Sequence, residues 1–106
     1  MNYIWNYAFD YFMKKYWDNE YRSIPVFLKD MEGDMIGDFA HDEMGCNTIH
    51  LAKNQGLSER QMLGVLLHEM CHHVVYEKHG MDVDGHGVEW ETEMKRVGFE
   101  KPDCLS

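Results

Sequence analysis

The chain has 106 residues, 44% hydrophobic and 13% aromatic, which is enough for one domain with one packed core and too apolar for a disordered chain. Its 19 acidic and 10 basic residues leave a formal net charge of -9, which works against unaided binding to a nucleic-acid backbone. Cys46, Cys71 and Cys104 follow no disulfide or C-x-x-C spacing, no charged leader precedes an apolar core, and no apolar run is long enough for a bilayer. A soluble, cytoplasmic protein spanning residues 1–106 as one domain is therefore expected, with no membrane contact.

The first element is expected from about Asn2 to Glu20. Ile4, Trp5, Ala8, Phe9, Phe12, Met13, Tyr16 and Trp17 step by three and four, as on one face of an amphipathic helix. Ser23 and Pro25 end that region. Ile24 to Lys29 is expected as a strand with its proline at the start, where a missing donor is tolerated. The polar Asp30 to Asp34 is turn chemistry. Two more strands are expected, Met35 to His41 and Cys46 to Ala52, the latter alternating with Ile49 and Leu51 on one face. These strands suggest a small, mainly antiparallel three-stranded sheet.

Ser58 and Gln61 form a capping-box pattern that opens a long helix from about Glu59 to His79, with Gly80 beyond its end. A last helix is expected from about Gly87 to Val97, with Trp90, Met94 and Val97 on one side. The order of elements is α+β.

Within the long helix stands His68-Glu69-Met70-Cys71-His72, an H-E-x-x-H motif. Residues four apart on a helix project from one face, so both imidazoles can reach one Zn²⁺, while Glu69 lies beside the metal and can take a proton from water there. A catalytic zinc usually has three protein ligands and one open position. The metzincin continuation is absent, because Val75 and Lys78 stand where it needs Gly and His. His86, between two glycines in Asp84-Gly85-His86-Gly87-Val88-Glu89-Trp90, is the best third ligand. Glu89 and Glu93 are alternatives, and Cys46 ranks last.

These two linked motifs resemble the SprT-like metallopeptidase domain family, which shows an H-E-M-x-H helix followed by an H-G-x-E-[FW] element. The upstream order of aromatic helix, strand, Gly-containing strand and further strand is also similar. The resemblance implies a zincin-like fold, one zinc ion per chain held by His68, His72 and His86, and Glu69 as the catalytic residue. It implies hydrolysis of peptide bonds in protein or peptide substrates, several relatives acting on proteins attached to or near DNA.

Other residues carry less. His73 could border the cleft and donate to an oxyanion, although a solvated role is favoured; Tyr76 could orient a ligand or pack in the core. Cys71 reads as a small buried hydrophobe, and His41, His50 and His79 show no partner pattern. A substrate is expected to lie extended, paired with the strand Cys46 to Ala52. The rival reading is a structural zinc module without proteolysis, its fourth zinc position filled by a residue such as Asp82 or Asp84.

Overall fold

The computed structural model describes residues 3–80 and 87–97. Six elements follow in the order α1 (Tyr3–Trp17), β1 (Val26–Lys29), β2 (Gly37–His41), β3 (Asn47–Ala52), α2 (Glu59–His79) and α3 (Val88–Arg96). This is the α+β arrangement expected.

The stripe on α1 buries Trp5, Phe9, Met13 and Trp17, each four residues from the last, against the core. The helix stops at Trp17, short of Glu20, because Asp18 and Asn19 take positive φ of 52° and 59°. Their N–H groups then close back on the carbonyls of Lys14 and Met13. Asp and Asn are the non-glycine residues that tolerate this conformation best. From its outward turn α1 also grips β1: Asn6 Oδ1 accepts from Val26 N–H at 2.9 Å and Asn6 Nδ2 donates to Val26 C=O at 3.2 Å. The side-chain amide thus occupies the outer edge of β1 as a neighbouring strand would.

The sheet has the order β1-β3-β2. The expectation of a mainly antiparallel sheet is corrected here: β2 and β3 pair antiparallel, whereas β1 and β3 pair parallel with Val26 opposite Ile49 and Leu28 opposite Leu51. The intervening β2 lies on the far side of β3, so β1 and β3 run the same way. In this register Val26, Ile49 and Leu51 share the buried face, while Phe27, Asp38 and His50 share the other.

The helix α2 matches its expected span. Ser58 Oγ accepts from Gln61 N–H and Gln61 Oε1 accepts from Ser58 N–H, the reciprocal capping box. At the other end Gly80 has φ 77° and donates its N–H to Tyr76 C=O. Residues from Gly64 to Cys71 and from His73 to Val75 are buried, so α2 is enclosed around its circumference. It lies against β2 and β3 on one side and meets α1 and α3 elsewhere. Among the described residues, no helix is long and apolar enough to cross a membrane.

One polar junction ties the three helices together. The buried Glu93 of α3 accepts from Trp17 Nε1 of α1 at 2.8 Å, from Lys78 Nζ of α2 at 2.8 Å and from Arg96 Nε at 2.9 Å. Burial alone would raise the Glu93 pKa, but hydrogen bonds from Lys78 and Trp17 and the charges of Lys78 and Arg96 outweigh it and hold the carboxyl below its ordinary range.

Candidate metal centre

His68, Glu69 and His72 come together on one side of α2. Each offers a ligand atom, and these atoms lie within 4.8 Å of one another. The His68 and His72 ring centroids are 5.0 Å apart, and His68 Nε2 stands 4.0 Å from Glu69 Oε2. Two imidazoles and a carboxylate are donors that suit zinc. The group can hold a metal ion.

Trp90 of α3 walls this cluster. Its ring meets His68 edge-on at 4.9 Å, stacks on His72 at 5.6 Å, and its Nε1 donates to the His68 carbonyl at 3.4 Å. One side chain therefore restricts both imidazoles, a role the apolar spacing of Trp90, Met94 and Val97 gave no reason to assign.

The opposite wall is β2. A Cβ placed on Gly37 would sit 2.5 Å from Val65 Cγ1, 3.2 Å from His50 O and 3.3 Å from Glu69 Oε2. Only glycine lets the strand approach α2 this closely, and the approach sets the start of β2 beside the Glu69 carboxylate.

Glu69 is 6% exposed. Burial, and secondarily the negative charge of Asp38, push its pKa from the ordinary 4.5 up to about 8. A carboxyl with a raised folded pKa contributes stability that is complete below the unfolded value and lost as pH rises through the folded one. Metal-free wild type should therefore lose stability between about pH 4.5 and 8, at up to about 1.4 kcal/mol per pH unit. Metal-free Glu69→Gln should lack this slope, melting above wild type at pH 8 and beside it at pH 4. Parallel thermal melts of the two proteins across that range would check this, and identical slopes would refute it.

Asp38 has a partner that the sequence did not suggest. His50 Nδ1 lies 2.7 Å from Asp38 Oδ1 across the β2–β3 pair, and Lys29 Nζ lies 3.5 Å from Asp38 Oδ2. The three residues stand on three different strands, so only the strand order and register reveal them as neighbours.

Other expected site residues fall differently. His86, Asp82 and Asp84 lie outside the described residues. Glu89 does not join the His68–Glu69–His72 group, Glu93 is engaged in its own junction, and Cys46 is exposed in the turn before β3. Cys71 is fully buried as expected; burial first, then the charges of Glu93 and Glu69, push its thiol pKa up.

His73 is neither solvated nor in the cleft. It is completely buried, with Nδ1 3.1 Å from Asn47 Nδ2 and Nε2 3.0 Å from Arg22 C=O. Those partners fix the tautomer, Nε2 donating and Nδ1 accepting, and burial lowers its pKa. Tyr76 packs against Phe39 at 6.0 Å and stacks on His41 at 4.9 Å. His79 is exposed at the end of α2.

The strand Cys46 to Ala52 cannot take an added strand, because its core, β3, is central and both its edges are paired. Ala52 donates to Ile36 C=O, so in the alternating antiparallel pattern Ile36, Asp38 and Ala40 bond towards β3. Gly37, Phe39 and His41 turn their backbone groups to the outer edge of β2, the edge beside Glu69.

The family model described as the SprT-like family matches residues 6–105. No curated protein matches the chain.

Proposed function

The chain belongs to the SprT-like family, and on that premise we propose that it is a zinc-dependent endopeptidase with Glu69 as general base. The observation that carries this reading is the buried Glu69 carboxylate, set among two histidines and alongside a strand edge that no other strand pairs among the described residues. His68 and His72 would hold the ion, with His86 as third ligand. Zinc bound there would polarise a carbonyl and lower the pKa of water towards about 7.

The chain's own residues supply the rest. A peptide lies extended on the outer edge of β2, bonded to Gly37, Phe39 and His41; the edge of β1 is already taken at Val26 by Asn6. Gly37 brings that peptide's backbone past Glu69. Glu69 removes the proton of the attacking water and passes it to the leaving amine nitrogen. A raised proton affinity suits a group that must accept and then release a proton near neutrality. Trp90 keeps both imidazoles in place throughout. Protein or peptide is the substrate class; the charge of -9 gives no support to direct DNA contact.

Metal analysis tests the ligand set. About one zinc per wild-type chain is expected, lost in His86→Ala and kept in Glu89→Ala. Zinc retained by His86→Ala would rule out the three-histidine site. Stoichiometric zinc without hydrolysis of any unfolded protein would favour the structural zinc module.

A further inference from the structure

Three residues of α2 recur at four-residue intervals on one face: His68, His72 and Tyr76. The first two belong to the metal centre. The third stands one turn on, half-buried, and long helical side chains lean towards the helix N-terminus, which for Tyr76 is the His72 side. Its ring is held from the other direction by β2. His41 stacks on it at 4.9 Å and 30°, Phe39 meets it at 6.0 Å, and Phe39 and His41 lie 6.3 Å apart. Three interlocked rings give the phenol a fixed direction. Yet the phenol hydroxyl makes no hydrogen bond among the described residues, although a Tyr held this firmly usually finds one.

The same strand that clamps the ring also offers its outer edge to a peptide. Gly37 lies at the Glu69 end of that edge and His41 at the Tyr76 end. A carbonyl brought beside His72 by a peptide on β2 comes within reach of a donor on the next turn of α2.

We propose that Tyr76 is a catalytic residue whose hydroxyl donates a hydrogen bond to the scissile carbonyl oxygen as that oxygen gains negative charge, with His41 and Phe39 as its positioning residues. The inference rests on the peptidase reading. A donor whose ring is already clamped in place needs little reorganisation as charge develops, which is why such groups have large effects on rate. Nothing is transferred from Tyr76: the phenol keeps its proton, and Glu69 alone carries a proton from water to the leaving nitrogen.

The experiment compares zinc-loaded wild type, Tyr76→Phe, Ile4→Ala and Glu69→Gln on a quenched fluorescent peptide library, with zinc content and melting temperature measured for each. Tyr76→Phe removes one oxygen and leaves the ring packing intact. It should keep zinc and melting temperature, lower kcat by about 10²-fold and leave KM within threefold. It should also weaken a phosphinic dipeptide, whose charged oxygen imitates the reacting carbonyl, by a comparable factor. Ile4→Ala, on the exposed side of α1 and away from the site, should retain kcat within about threefold. A Tyr76→Phe enzyme with kcat and phosphinic affinity within threefold of wild type would overturn the proposal while leaving the peptidase reading intact. Wild type no more active than Glu69→Gln would sink that reading and this inference together.

Discussion

Glu69→Gln should bind zinc as wild type does and lose about 10²–10⁴-fold in turnover. The amide is nearly isosteric with the carboxylate and leaves His68, His72 and the wall of Trp90 in place. What it lacks is basicity. General base catalysis by a positioned side chain contributes about that factor, and the glutamine cannot receive the proton that the attacking water must lose. The same substitution removes a carboxyl whose ionised form is disfavoured by burial, so the inactive variant should be the more stable metal-free protein near pH 8. Opposite signs for activity and stability at one position separate a catalytic carboxylate from a structural one. Turnover by Glu69→Gln within tenfold of wild type would show that the base lies elsewhere.

The largest expected loss of stability is at Phe9. Its side chain is 1% exposed, midway along the buried stripe of α1, with its ring 6.0 Å from that of His73. Truncation to alanine removes most of a large apolar side chain and leaves a cavity against α2 that surrounding atoms fill only partly. Such changes cost about 3–5 kcal/mol, out of a total stability of about 5–15 kcal/mol for an ordinary domain. A fall in melting temperature on the order of 15–30 °C follows from the entropy of a chain of this size. Ile4→Ala, on the exposed side of the same helix, should stay within about 0.5 kcal/mol of wild type. Phe9→Ala unfolding within 1 kcal/mol of wild type would mean that α1 is not part of the cooperative core.

The helices were legible because their signals are local. Ser58 and Gln61 mark the start of α2 within four residues, and the α1 stripe needs only the helical period. The H-E-x-x-H spacing is local too, which is why His68, Glu69 and His72 could be placed together before any tertiary contact was known. Pairing direction in the sheet is not local. The alternation in β3 says which residues face the core, but not that β2 passes to its far side and leaves β1 parallel. That order put Asp38 beside His50 and left β2, not β3, with an edge unpaired by any other strand among the described residues. His73 was misjudged for a related reason. Position on a helical wheel places it near Glu69, but its burial depends on Asn47 and the Arg22 carbonyl, 26 and 51 residues away. Glu93 looked like a possible ligand because carboxylates are ligands; its engagement with Trp17, Lys78 and Arg96 is visible only once three helices meet.

The junction at Glu93 also has a consequence for how the protein is made. Trp17 and Glu93 are 76 residues apart, and the indole of one donates to the carboxylate of the other. At about 5–20 residues per second, synthesis leaves α1 waiting roughly 4–15 s for the segment that completes its surroundings. During that interval Trp5, Phe9, Met13 and Trp17 form an apolar strip without its full cover. Docking of the last helix thus completes the cover of the first, and the fold closes only when the two ends of the chain meet.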